Sequence, residues 1–223
     1  MRHCLFSEWL PAECLGFAAT PVGVNTEGPN VKLRDSSMPE EKYWETLFDV
    51  PGVMEGLGID SRLRDVVELG CGFGTFSIPI ARRIAGRLFA FDIDPLMIAR
   101  TKERTKSARL TNVVLQQRDV MESGFGLPAG SVDAALLFNI LHCESPERLL
   151  QHASQVVRVG GRVLVIHWRY DGRTPRGPDL SIRPRPEQIM AWAQATGELC
   201  ADAGAITLPP WHYGLILIRL AQL

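Results

Sequence analysis

The residues best suited to chemistry follow a short apolar stretch near position 66. Glu68 precedes a run in which Gly70, Gly72 and Gly74 alternate with other residues, and Asp92 follows 18 residues after the last glycine. Glycine lets a backbone approach a ligand closely, and a helix that begins there presents free N–H groups to an anion. A carboxylate at the end of the next strand can accept hydrogen bonds from both hydroxyls of a ribose. The pattern is therefore typical of a nucleoside cofactor held at the edge of a parallel sheet.

Two cofactors compete for this pattern. Dinucleotide sites favour G-x-G-x-x-G, but the spacing here is G-x-G-x-G, and Thr75 stands where that motif has its last glycine. Glu68 would also lie close to an anionic pyrophosphate and repel it. S-adenosylmethionine (SAM) instead carries an ammonium group, a carboxylate and an adenosine, so the residues favour SAM over a nicotinamide cofactor.

At these residues the chain resembles the class I SAM-dependent methyltransferases, whose first motif reads acidic-x-G-x-G-x-G. The resemblance extends from about Met38 to the C-terminus and is nearest to the small, single-domain type 11 group. It implies that Asp92 binds the ribose and that Asp119 and Val120 bind the adenine. The cofactor-binding residues that it implies are Glu68, Gly70, Gly72, Gly74, Asp92, Ile93, Asp119, Val120 and Asn139.

Structural roles compete with some of these assignments. Asp94 precedes Pro95 and suits a helix N-cap, which leaves Asp92 for the ribose. Asp119 could instead cap the short segment that follows it. Asn139 fits a contact with SAM and a turn at the end of a strand equally well.

Histidines supply the candidate general bases. His142, just beyond the fourth predicted strand, is the first choice, and a loop histidine bound to backbone is its alternative. His167 lies within the fifth predicted strand, where packing is the better interpretation. His212 lies in a turn-like PPWHYG sequence whose aromatic residues favour the core over an acceptor pocket.

The segment 169–186 is rich in arginine, proline and glycine. Since it follows the fifth strand, it should overhang the acceptor side of the site. One hypothesis is a lid whose arginines bind an anionic acceptor. The alternative is a solvated loop stiffened by proline.

Strand and helix patterns alternate along the chain and predict a doubly wound α/β fold. Predicted strands cover 65–69, 87–92, 112–117, 132–138, 161–168, 204–208 and 213–220. Predicted helices cover 39–48, 53–57, 74–85, 95–108, 146–158 and 186–202. The resemblance implies a Rossmann-like sheet of seven strands in the order 3-2-1-4-5-7-6, mostly parallel with one antiparallel strand.

Composition agrees with one globular enzyme domain. The 223 residues are 46% hydrophobic and 22% charged, with a formal net charge of −1, which does not suggest a polyanion-binding protein. Five cysteines without a C-x-x-C pair predict neither a metal site nor a disulfide framework and favour a cytoplasmic setting. No apolar stretch is long enough to span a bilayer.

The first 37 residues have no clear period and contain many turn formers. Helical character and the family resemblance both begin near Met38. We therefore predict an N-terminal extension over residues 1–37, either disordered or not native, and a single methyltransferase domain over residues 38–223.

Together these features predict a SAM-dependent methyltransferase that acts on a small-molecule acceptor, with no nucleic-acid or membrane partner. A nicotinamide-dependent oxidoreductase and a non-catalytic SAM-binding protein are the alternatives.

Overall fold

The structure of the protein is a computed structural model that describes residues 38–221. The predicted extension at 1–37 lies outside the described residues. Within 38–221, no helix combines the length and the apolar character that crossing a membrane requires.

Five parallel strands form the centre of the sheet, and each contains an apolar run of the sequence. They pair side by side in the order β3-β2-β1-β4-β5. Parallel strands covered on both faces are apolar along their whole length, which is why these runs do not alternate. The strands are β1 Val66–Leu69, β2 Leu88–Asp92, β3 Val113–Gln117, β4 Val132–Phe138 and β5 Val157–Trp168.

The far side of the sheet reverses direction. Strand β8, His212–Arg219, lies antiparallel to β5. Two short strands, β6 at Leu199–Ala201 and β7 at Ile206–Leu208, pair with opposite ends of the same edge of β8. If β6 and β7 are counted as two halves of one interrupted strand, the predicted order and the single antiparallel strand are confirmed. Counted separately, they make eight strands where seven were expected.

Seven helices connect the strands within residues 38–221. Most follow the predicted positions, and α6 and α4 begin at prolines, which suit the first helical turn. The helices are α1 Glu41–Glu45, α2 Val50–Gly56, α3 Ser77–Arg83, α4 Pro95–Ser107, α5 Val120–Ser123, α6 Pro146–Val156 and α7 Pro186–Ala195.

Several predicted helix boundaries are wrong: the helix expected at 53–57 is α2, which begins at Val50, and the one expected at 74–85 is α3, which begins at Ser77. The predicted helix at 39–48 ends early because Asp49 starts a new helix by accepting a hydrogen bond from the Gly52 N–H at 3.1 Å. The predicted helix at 186–202 ends at Ala195. Gly197 there adopts a left-handed φ of 70°, which terminates helices, and residues 199–201 pair with β8 instead.

Side chains of the strands alternate between the two faces of the sheet and pack into two separate hydrophobic cores. Leu136, Leu164 and Ile166 belong to the core beneath α2 and α3. Val163 and Val165 belong to the core beneath α6 and α7. The carboxyl ends of β1, β2, β4 and β5 therefore form one rim, held from both faces.

Candidate functional site

The glycine-rich turn leaves β1 at this rim. Gly74 has a φ of 79°, and a Cβ built there would lie 3.1 Å from the side chain of Thr101, so both the backbone and the space demand glycine. Thr101 is fully buried in α4 and donates a hydrogen bond from Oγ1 to the carbonyl of Gly72 at 2.7 Å. The turn is thus fixed in place by its neighbouring helix.

Asp92 holds the same turn from the end of β2. Its Oδ2 accepts a hydrogen bond from the Gly72 N–H at 2.9 Å, and its Oδ1 accepts one from the Asp94 N–H at 3.0 Å. The carboxylate is only 6% exposed, and burial raises its pKa above the ordinary value while these N–H groups oppose the shift. The predicted ribose acid therefore lies directly against the predicted glycine turn.

Glu68 lies beneath the turn and is 2% exposed. The Ser77 hydroxyl, at the start of α3, donates to Glu68 Oε2 at 2.5 Å. Burial raises the pKa of Glu68 to about 8, and the nearby charge of Asp92 adds to the shift. A cation placed beside Glu68 would offset this cost, because an opposite charge favours the ionised form.

Two aspartates cap helices, as their positions before helices suggest. Asp94 caps α4 by accepting from the Leu96 N–H at 2.8 Å, as the sequence indicated. Asp119 caps α5 through the Glu122 N–H at 3.2 Å. The cap agrees with the alternative interpretation of Asp119, and its role at the adenine stays a prediction.

Other predicted cofactor residues lie at strand ends along the rim. Ile93 directly follows β2, and its carbonyl accepts from Gln117 Nε2 at 3.2 Å. Val120 is buried at the start of α5. Gly70 donates its N–H to the carbonyl of Phe91 at 2.8 Å, which fixes the beginning of the glycine turn to β2.

Asn139 directly follows β4 with a left-handed φ of 57°. Its N–H donates to the carbonyl of Ile166 at 2.8 Å. Its Oδ1 is buried and makes no hydrogen bond with any part of residues 38–221. Buried polar atoms are normally paired, so this oxygen is suited to receive a donor from a ligand.

His142 lies in the turn after β4, beside His167 of β5. The distance from His142 Nδ1 to His167 Nε2 is 3.4 Å, and the rings meet edge to face. Burial, with the charge of Arg183 nearby, lowers the pKa of His142 to about 4. The ring is therefore neutral at pH 7 and available to accept a hydrogen bond or a proton.

The PPWHYG residues serve the core, as the sequence favoured. His212 begins β8, is 1% exposed and stacks on Phe48 with ring centroids 4.6 Å apart. Tyr213 is buried, and its hydroxyl donates to the carbonyl of Pro184 at 2.8 Å. The ring of Trp168 packs against His212 with centroids 4.2 Å apart and lies 6.2 Å from that of Phe48.

Three arginines of the segment 169–186 contact groups of that same segment. Arg183 is 7% exposed, and its guanidinium donates to the carbonyls of Pro178, Arg169 and Asp171. Arg173 pairs with Asp171, and Arg185 lies over the ring of Tyr170 at 3.6 Å. These contacts favour a self-supporting loop over a lid that offers several arginines to an acceptor.

Helix α1 is attached to the site by ion pairs. Glu41 accepts from Arg100 Nε at 2.7 Å and from Arg104 Nη1 at 3.0 Å. Arg104 also donates to the carbonyl of Phe73 in the glycine turn at 3.1 Å. Just before α1, the methyl group of Met38 lies beside Gly72, 3.3 Å from where a Cβ would be.

A cavity of about 540 Å³ opens beside this region, between α2 and α3. Val50, Met54 and Pro79 form its apolar wall, and Thr75 connects it to the glycine turn. It lies next to the predicted cofactor residues but is not lined by them.

Sequence reasoning missed several residues that hold the site. Ser77, Thr101 and Arg104 all anchor the glycine turn or the glutamate beneath it. Serine, threonine and arginine are common on helices, so their residue types do not predict a contact with the glycine turn. Only the packing of α3 and α4 against the turn identifies them.

Comparisons with known proteins find a methyltransferase domain in this chain. Residues 66–161 match a family model described as a methyltransferase domain. The chain is 29% identical over 94 residues to the tRNA (adenine(58)-N(1))-methyltransferase catalytic subunit of Yarrowia lipolytica, which covers 41% of this chain and 24% of that protein. The chain spans about a quarter to two fifths of the length of the curated relatives that it matches.

Two solved structures share the fold. A SAM-dependent methyltransferase from Aquifex aeolicus superposes with a TM-score of 0.71 at 19% identity, covering 85% of this chain and 96% of that one. A putative type 11 methyltransferase from Sulfolobus solfataricus superposes with a TM-score of 0.56 at 24% identity, covering 71% and 86%. Residues 66–161 are thus similar to a methyltransferase domain, and the chain shares its fold with SAM-dependent methyltransferases, including a putative type 11 enzyme.

Proposed function

We propose that the protein transfers a methyl group from SAM to a small-molecule acceptor. The observation that carries the proposal is the glycine turn itself, which Asp92 holds through the Gly72 N–H at the rim where parallel α/β sheets bind ligands. The residues present fit SAM. Glu68 is a buried carboxylate that a ligand cation would stabilise, and Asn139 offers a buried oxygen without a partner in the described chain.

The residues proposed to hold SAM divide by its chemical groups. Glu68, at the base of the glycine turn, attracts the ammonium group of SAM. The N–H groups of the turn receive the carboxylate of SAM. Asp92 and Ile93 receive the ribose, and Asp119 with Val120 receives the adenine. When bound, SAM supplies a methyl group activated by a positively charged sulfur.

The chain's own contribution to the reaction is alignment and exclusion of water. Phe48, Trp168 and His212 pack together in the core, and their ring contacts fix the end of β5. His142 is the proposed general base, because its ring lies at the rim and burial keeps it neutral at pH 7. A base acts only when the acceptor must lose a proton.

A small acceptor is favoured over a nucleic acid. The net charge of −1 gives no overall attraction for a polyanion. Arg173 and Arg183, on the loop nearest the acceptor, are bound to groups of that same loop. Since relatives include tRNA methyltransferases, RNA is the competing acceptor that an experiment must separate.

Calorimetric titration with S-adenosylhomocysteine (SAH), the demethylated product, tests the cofactor. Asp92→Ala should weaken SAH binding at least tenfold, or about 1.4 kcal/mol, because it loses the ribose acceptor and the anchor of Gly72. Asp94→Ala is the matched control and should bind SAH normally, since it removes only a helix cap. Equal binding by Asp92→Ala, or binding of NAD in place of SAH, would contradict the proposal.

The acceptor class needs a second measurement. Incubation with SAM carrying a labelled methyl group, in the presence of total RNA and a small-metabolite extract, should place label in the small-molecule fraction. Label in RNA would point to a nucleic-acid acceptor. Absence of label in both fractions, with normal SAH binding, would favour a non-catalytic SAM-binding protein.

A further inference from the structure

The cavity of about 540 Å³ beside the glycine turn lies in a groove between α2 and α3. Val50 and Met54, one helical turn apart, form the wall on α2. On the opposite wall, Thr75, Pro79 and Arg82 recur at intervals of four and three residues, which places them along one helical face. A cavity of this volume is typical of sites that bind small molecules.

Both helices run in the same direction along this α2–α3 groove. They begin side by side, where the rings of Phe48 and Phe76 lie 5.1 Å apart. They end toward the same edge of the sheet, where the Ala85 N–H, just after α3, donates to the carbonyl of Leu63 at 2.8 Å. At a rise of 1.5 Å per residue, the groove is about 12 Å long from the glycine turn to the end of α3.

The far end of the α2–α3 groove has an excess of positive charge. Arg82 and Arg83 line it together with Glu55, and none of the three forms an ion pair within residues 38–221. Glu45, at the end nearer the glycine turn, is paired with Arg104 at 2.7 Å. Two unpaired guanidinium groups beside one carboxylate leave one positive charge in excess, which attracts an anion.

The near end of the α2–α3 groove meets the glycine turn at Thr75. This side chain is 8% exposed, and its Oγ1 has no hydrogen-bond partner among residues 38–221. Buried polar atoms are normally paired, so the hydroxyl is suited to a ligand that fills the groove. Since Thr75 directly follows Gly74, such a ligand would contact the turn without using the residues proposed to hold SAM.

We propose that the α2–α3 groove is a second small-molecule site, which binds an amphipathic carboxylate. The apolar body of the ligand lies against Val50, Met54 and Pro79, where its burial stabilises the complex. Its carboxylate binds Arg82 and Arg83, because a guanidinium can donate two parallel hydrogen bonds to a carboxylate. The site goes beyond the proposed function, since its ligand is neither the methyl donor nor the methyl acceptor.

Calorimetric titration of the full chain with octanoate tests the site, without SAH and with saturating SAH. Octanoate should bind in both conditions, whereas octylamine, a cation with the same apolar chain, should not bind. Substitution of both arginines, Arg82→Gln with Arg83→Gln, should weaken octanoate binding about fivefold, because these exposed side chains make solvent-screened contacts. Arg148→Gln, an exposed arginine of α6, is the matched control and should bind octanoate as the wild type does.

Methyl NMR locates the bound probe. Octanoate should shift the methyl resonances of Val50 and Met54 and leave those of Leu149 and Leu150, in the other core, unchanged. Val50→Trp fills the groove and should abolish these shifts.

Four outcomes would each overturn the proposal: no binding of octanoate, equal binding of octylamine, unchanged affinity in the double arginine variant, or unshifted Val50 and Met54 methyl groups. Binding of octanoate with these properties, but without binding of SAH, would contradict only the proposed function.

Discussion

Glu68 and Asp92 are neighbouring carboxylates at one rim, but their surroundings differ. Asp92 accepts two backbone N–H bonds, whereas Glu68 accepts a hydrogen bond from the uncharged Ser77 hydroxyl. Without charged donors, the buried Glu68 holds its proton up to a pH of about 8. Its ionisation is therefore coupled to folding and to binding of a cation.

The stability of the ligand-free protein should depend on pH through Glu68. Its folded pKa of about 8 lies above the ordinary 4.5, so its contribution is complete below 4.5 and is lost as pH rises through about 8. Glu68→Gln removes this loss. The free energy of unfolding of Glu68→Gln, relative to that of the wild type, should rise by on the order of a few kcal/mol between about pH 5 and about pH 9. Thermal unfolding at a series of pH values measures this difference.

Glu55→Gln replaces an exposed glutamate of α2 and is the control for this measurement. It should follow the wild type at every pH. A constant difference in stability between Glu68→Gln and the wild type would show that Glu68 ionises normally in the folded protein.

At the scale of elements, Arg183 organises the loop between β5 and α7. Its guanidinium contacts the carbonyls of Arg169 and Pro178 and the hydroxyl of Thr174 at 2.9, 2.7 and 2.7 Å. Arg183→Ala should therefore lower the free energy of unfolding by about 1–3 kcal/mol, because buried carbonyls lose their donors. Limited proteolysis should cut the loop first.

Arg173→Ala is the matched control on the same loop. Arg173 is 89% exposed and pairs with Asp171 at the surface, so its loss should leave the free energy of unfolding almost unchanged. Equal effects of the two substitutions would show that the loop does not depend on Arg183.

Helix α1 should respond to salt because ion pairs attach it to α4. Arg104→Gln removes the contacts with Glu41, Glu45 and the Phe73 carbonyl. Amide hydrogen exchange at residues 38–47 should accelerate in this variant, and also in the wild type at high ionic strength. Arg109→Gln, beyond the end of α4, is the control. Unchanged exchange in Arg104→Gln would show that Arg104 does not hold α1 against α4.

At the scale of the whole molecule, the described core begins between α1 and α2. Leu47, Phe48 and Val53 are its first buried members within residues 38–221. A chain that starts at Met38 should therefore fold with the same melting temperature and bind SAH with the same affinity. A loss of either property would show that residues 1–37 contribute to the domain.

Apolar runs predicted the central strands well, since a strand covered on both faces needs unbroken hydrophobic sequence. Boundaries failed where local signals were short. Residues 199–201 continue a helical pattern in sequence, yet they form β6 because β8 offers a free edge there. The cap of Asp49 likewise starts α2 at Val50, three residues before the helix predicted at 53–57.

The sequence by itself determined the class of fold and the position of the glycine turn, because glycines, terminal carboxylates and strand runs act through local backbone geometry. Tertiary structure alone decided how that site is held: Thr101 and Arg104 reach the glycine turn from another helix, and His167 meets His142 across neighbouring strands. Such contacts join residues about 25–31 positions apart in the chain. Only the packing of elements brings them within bonding distance, so no local pattern can reveal them.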